Sequence, residues 1–223
     1  MAVTTPPPNE AHAVPRDRAK RGGDLTATRI LDAAEDLFAE RGYAGTTLRD
    51  VATLVGVRNP SIYNHFAGKE ALYEAVLGRV IGPVLDALSD LIAAGPDADR
   101  ESVIGKTMEI LGEHPNVARL LLHETLGGGD RLTPILKDWI GPIFARSHEL
   151  ISRSPGTARW ETDQLPLLVL AMYHIVVGYF TIAPIYSELG GEDLLAEEMR
   201  ARQTRLLHQI ADLLFAAPAT ETP

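Results

Sequence analysis

From residue 24 onward, apolar residues recur three and four positions apart, the period of an α-helix. Ile30, Ala33, Ala34, Leu37 and Phe38 form the face of a first helix. Asp24 or Thr26 can cap its start, and Gly42 ends it. A short second helix follows Thr46 and Thr47, with Leu48, Val51, Ala52 and Val55 on its apolar side. Thr47-Leu48-Arg49-Asp50 has the spacing of a capping box, with Asp in place of Glu or Gln. Gly56 allows a tight turn. Pro60 suits the first turn of a third helix, where its missing N–H costs nothing. Ile62 and Phe66, four apart, mark the buried side of that helix. Gly68 ends it, and Lys69 opens a long fourth helix through Leu72, Val76 and Val80. Gly82-Pro83 predicts a kink or break there.

The same period predicts helices over 99–112, 115–126, 132–152, 162–187 and 192–215, separated by the turn-rich stretches AGPDAD, GGGD, SPGT and ELGG. Pro115 and Pro134 fit first turns, whereas Pro142 and Pro184 predict kinks. No alternating pattern is long enough to build a sheet, so the expected class is all-α: a three-helix helix-turn-helix head and a larger helical body. Residues 165–187 hold no Asp, Glu, Lys or Arg. As a helix they would be about 35 Å long, enough to cross a bilayer. Acidic residues flank both ends and no Lys/Arg cluster sets an orientation. The expectation is therefore a helix buried all round in a protein core, and no membrane partner.

Two short helices joined by a glycine turn and resting on a first helix make a helix-turn-helix. Its second helix enters the major groove of DNA. Asn59, Ser61 and Asn64 can donate to and accept from base edges, and the Pro60 ring can meet a thymine methyl. Tyr63, His65 and Lys69 suit phosphate oxygens. Arg49 can reach a guanine or a phosphate, and Thr47 and Arg58 complete the DNA-binding set. The run ILDAAEDLFAERGYAGTTLRDVATLVGVRNPSIYNHFAGKEALYEAV, residues 30–76, resembles the DNA-binding domain of the TetR family of transcriptional regulators. The resemblance implies an all-helical homodimer whose head binds double-stranded operator DNA. It also implies a body that binds a small effector and thereby releases the DNA. It places base reading on Arg49, Asn59, Pro60 and Asn64, and phosphate contacts on Tyr63, His65 and Lys69.

The overall charge of −9 at first opposes a nucleic-acid partner. Its distribution removes the objection: residues 1–80 hold ten basic and ten acidic side chains, and the rest hold 11 and 20. The expected organisation is a disordered basic arm over 1–24, a helix-turn-helix domain over 25–70 and an effector-binding and dimerisation domain over 71–223. Residues 1–24 lack the apolar stretch of a secretory leader and carry Arg16, Arg18, Lys20 and Arg21. The expected location is cytoplasmic.

In the body, Met108, Leu122, His123, Trp139, Phe144, Met172, Tyr173 and Val176 are candidate lining for a largely apolar effector pocket. Ala171 and Gly178 on one helix, with Leu195, Met199, Leu206 and Ile210 on the next, are candidate dimer contacts in a four-helix bundle from two subunits. The chain has no cysteine, no H-x-x-x-H spacing and no G-x-S-x-G elbow, so neither a metal, a cofactor nor an enzyme is expected. Two other functions fit less of the chain: a membrane-anchored regulator using 165–187, and an enzyme or carrier that retains the head.

Overall fold

A computed structural model of the chain describes residues 16–95, 101–127 and 134–215. These form nine α-helices and one 3-10 turn, with no strand among the described residues, so the protein is all-α. The helices are α1 (Arg16–Gly45), α2 (Leu48–Val55), α3 (Asn59–Tyr63), α4 (Lys69–Ala94) and α5 (Glu101–Glu113). They continue as α6 (Pro115–Gly127), α7 (Pro134–Ser152), α8 (Leu165–Glu188) and α9 (Glu197–Phe215). Helix α1 starts at Arg16, so the last part of the arm expected to be disordered is helical. The run Arg16 to Arg21 is made largely of good helix formers, which extend the helix past Gly22 and Gly23. Residues 1–15 lie outside the described residues.

The head is built by local rules that agree. The helical path of α1 is interrupted at Gly42, whose φ of 69° and ψ of 175° leave the helical region. The buried Thr46 hydroxyl lies 3.0 Å from both the Leu37 and Gly42 carbonyls and ties the break to the helix. Thr47 and Asp50 form the expected capping box. Their hydrogen bonds, led by the Thr47 hydroxyl, hold the Asp50 carboxyl below its ordinary range. Gly56 turns the chain at φ 76°, and Arg29 of α1 donates to the Val55 carbonyl at the end of α2, 2.8 Å away.

The two positive-φ glycines of the head, Gly42 and Gly56, predict different costs. A Cβ on Gly56 meets nothing within 4 Å, whereas one on Gly42 would lie 2.7 Å from Cε1 of His123. Gly56→Ala should cost about 1 kcal/mol through backbone strain alone. Gly42→Ala should cost more, and His123→Ala should recover part of the excess. Urea midpoints of the three variants measure this, and equal losses at both glycines would contradict the steric account.

Helix α4 joins head to body. It continues through Pro83 as one helix, so the expected break does not occur. A helix-interior proline costs about 3 kcal/mol, but Val76, Leu77, Val80, Ile81, Val84 and Leu88 are buried on either side and hold the helix together. Helices α7 and α8 likewise continue through Pro142 and Pro184. One core of buried side chains runs from Ile30 in α1 through α4 to Leu207 in α9. A smaller one gathers Ile151, Leu165, Val169 and Phe215.

The expectation that 165–187 is buried all round is corrected. One face of α8 packs inward through Val169, Val177, Phe180 and Ala183. The other exposes Leu167, Leu170, Ala171, His174, Ile182 and Ile185 at helical spacing, with Leu167 61% exposed. The helix is long and apolar enough to cross a membrane by length and composition. Helix α9 starts later than expected, because the Asp193 carboxylate accepts from the Leu195 N–H at 2.9 Å and holds a turn before it.

Candidate functional site

The polar residues predicted to meet DNA lie around α2, α3 and the start of α4. Ile62 is fully buried and anchors α3 to the head core, with Phe66 half-buried beside it. Asn59, Pro60, Tyr63 and Asn64 are consequently exposed, as are Thr47, Arg49 and Arg58. Tyr63 keeps 55% of its surface in solvent. Ser61 and His65 are half-buried. The His65 and Phe66 N–H groups both donate to the Ile62 carbonyl and close the helix end.

Lys69 occupies the first turn of α4, where the helix dipole opposes a positive charge. Its Nζ sits 4.3 Å from the centroid of the Tyr43 ring. That ring supplies a compensating cation–π attraction. Burial holds the Lys69 ammonium below the ordinary lysine range and raises the Tyr43 phenol. Tyr43 in turn stacks on Phe38 and meets Tyr73 edge-on. The sequence pattern did not single out Tyr43. Its signal was an aromatic residue just past a helix-ending glycine.

In the body, α4, α5, α6, α7, α8 and α9 surround a cavity of about 280 Å³. Its walls are mostly apolar, with Thr107, Ser147, Ser154, Tyr173, His208 and Asp212 as polar groups. Of the pocket candidates from sequence, Phe144, Met172, Tyr173 and Val176 line this cavity. The other four candidates are placed elsewhere. Met108 is buried in the core, and Leu122 is 40% exposed. The His123 ring covers Gly42, and the Trp139 ring lies over Gly78 of α4. The cavity contacts missed in sequence include Val80, Ile81, Val84 and Leu88 of α4, together with His208 and Asp212 of α9. The latter pair is four apart beside Leu207 and Ala211, a polar insertion on an apolar side that could have marked them. Burial raises the Tyr173 phenol above its ordinary range.

The candidate dimer residues divide. Ala171 faces solvent, and Gly178 is half-buried with open space where a Cβ would lie. Leu206 is exposed and Ile210 half-buried on α9. Leu195 and Met199 instead pack against the core of their own chain. They precede or begin the helix, where α9 turns toward α8, and the Tyr179 hydroxyl donates to the neighbouring Leu194 carbonyl. No group of three or more His, Asp or Glu side chains that could hold a metal occurs among the described residues.

A polar junction ties head to body. Glu35 of α1 is buried, with its carboxylate 3.0 Å from Nδ1 of His114 and 3.8 Å from the Arg79 guanidinium. Arg79 also pairs with Asp32 at 2.8 Å. Asn116 of α6 donates to Asp36 at 2.7 Å. Burial raises the Glu35 carboxyl above its ordinary range, against the pull of His114 and Arg79.

Residues 30–76 match the family model for bacterial regulatory proteins of the tetR family. The transcriptional repressor KstR2 of Rhodococcus jostii is 32% identical over 117 residues, 51% of this chain and 53% of that protein. The transcriptional regulator EthR of Mycobacterium tuberculosis H37Rv is 33% identical over 123 residues, 52% and 56% of the two chains. The chain thus spans about half the length of these curated relatives in the matched region. A solved regulatory protein of the tetR family from Rhodococcus RHA1 shares the fold, with TM-score 0.59 and 20% identity over 86% of this chain and 98% of that one.

Proposed function

We propose that this chain, a TetR-family protein through its head, is a homodimeric DNA-binding transcriptional repressor of the cytoplasm. On this proposal a palindromic operator is released when a small, largely apolar effector fills the body cavity. The observation that carries it is the course of α4. Its first residue, Lys69, stands beside the reading helix, while Val80, Ile81, Val84 and Leu88 line the cavity. A ligand that displaces the cavity end of one continuous helix also moves the end that positions α3. The effector need only bind more tightly to the dimer with the wrong spacing of reading helices than to the one that fits DNA. The fitting spacing is about one turn of DNA, roughly 34–36 Å.

Repression as the sign of control is supported by the relative KstR2, a transcriptional repressor. Dimerisation is supported by the outward apolar stripe of α8 together with Leu206 and Leu213 of α9. A second copy covers such a stripe by packing helix against helix. A lipid-facing span fits less well, because the opposite face of α8 belongs to the chain's own core. The proposed domains are a head over 25–70 and a body over 71–223, with the DNA contacts and dimer contacts as assigned from sequence except Leu195 and Met199.

Selection of bound sequences from a random DNA pool should return a palindrome. A non-palindromic site, or none, would count against the proposal. Lys69→Ala should weaken binding to every selected site and reduce the slope of log affinity against log salt by about 0.9, the share of one phosphate contact. A salt titration with an unchanged slope would remove Lys69 from the phosphate contacts.

A further inference from the structure

The cavity's polar groups define a class of ligand, an inference that rests on the cavity being the effector site. Among the described residues that line it, none is Lys or Arg, and the one carboxylate is that of Asp212, an exposed residue at the cavity's edge with solvent. The hydroxyls of Thr107 and Ser154 spend their single hydrogens on helix carbonyls. Thr107 donates to the Val103 carbonyl at 2.7 Å and Ser154 to the Leu150 carbonyl at 3.0 Å. Both therefore present lone pairs to the cavity and have no hydrogen to offer a ligand. Ser147, Tyr173 and His208 can also donate, but a carboxylate or phosphate drawn out of water into these walls would find no Lys or Arg to offset its lost hydration, and it would meet a like charge. An ammonium or hydroxyl group would find acceptors, and an ammonium would gain the attraction of Asp212.

We propose that the cavity takes an apolar ligand whose polar end is a hydrogen-bond donor, an amine or an alcohol, and rejects acids with the same tail. Octylamine and octanoate separate these cases. They share a hydrocarbon tail, and both are charged and strongly hydrated, so their ratio of affinities reads the sign of charge the cavity prefers. Octan-1-ol supplies the uncharged comparison. Titration calorimetry on the full chain at pH 8, where imidazoles are ordinarily neutral, should give octylamine an affinity at least about tenfold above octanoate. Octan-1-ol should bind as well.

Asp212→Asn should reduce the amine-to-acid ratio about fivefold or more and leave octan-1-ol binding unchanged. Val176→Trp, which fills the cavity, should abolish binding of all three, and Phe144→Trp serves the same purpose should the first variant lack a native circular dichroism spectrum. Octanoate binding as tightly as octylamine would overturn the charge preference and leave the effector cavity standing. Failure of all three ligands to bind would overturn the preference and the effector cavity together. Undiminished binding to a folded, filled variant would place the ligand elsewhere and overturn it too.

Discussion

Phe38→Ala should lower the free energy of unfolding by about 3–5 kcal/mol, the cost of emptying a fully buried aromatic site. Phe38 has no exposed surface, and its ring lies 5.0 Å edge-on from Tyr73 of α4 and 6.1 Å from Tyr43. The loss is large beside the roughly 5–15 kcal/mol that keeps a domain folded. It also falls where α1 meets α4. Tyr43, which carries Lys69, loses its stacking partner, so the cation at the start of α4 is held less firmly. DNA affinity should therefore fall beyond what the unfolded fraction explains. Urea unfolding gives the stability change, and DNA titration well below the midpoint gives the remainder. Leu54→Ala on α2 is the comparison: Leu54 is 58% exposed. Its loss should stay within about 0.5 kcal/mol. A Phe38→Ala cost as small as that of Leu54→Ala would mean that the aromatic trio does not hold the head to α4.

The head was legible in the sequence because several local signals coincide. The Thr47–Asp50 box, the glycines at 42 and 56, Pro60 at a helix start and Ile62 four before Phe66 all specify the same three helices. Each signal acts over a few residues, so a linear pattern contains it. The body was legible only as helices. Periodicity identifies a side that must be covered but not what covers it. The segment 165–187, free of Asp, Glu, Lys and Arg, therefore read as buried all round, although its own chain covers only one face. The cavity was harder still, since empty space arises where six helices fail to meet. Met108 and Val176 look alike in sequence, yet Met108 fills the core and Val176 borders the void. Pro83 carries the same lesson in reverse, because tertiary packing along α4 outweighs a local breaker.

Glu35→Ala should cost about 3 kcal/mol at neutral pH, the low end of what removing one partner from a buried ion pair costs. The low end applies because Arg79 retains Asp32, whereas His114 loses its carboxylate. Glu35→Gln keeps the shape of the side chain and isolates its charge. The charged groups around the carboxyl are His114, Arg79 and Asp36, and burial outweighs the two that favour ionisation. A carboxyl whose pKa is raised by folding stabilises the folded state in its protonated form. That contribution is complete below the ordinary value of 4.5 and is lost as pH rises through the folded pKa. The stability of the native chain minus that of Glu35→Gln should accordingly fall as pH rises above about 4.5 and level off once the folded carboxyl is ionised. Denaturant unfolding of both proteins across this range measures the slope. A difference that grows with pH would mean that His114 and Arg79 outweigh burial. Glu35 belongs to α1, while His114 and Asn116 lie at the start of α6. Ionisation of Glu35 therefore changes how firmly the head is held to the body. If effector binding acts through that contact as well as through α4, Glu35→Gln should alter the factor by which an effector weakens DNA binding, even where both proteins are fully folded.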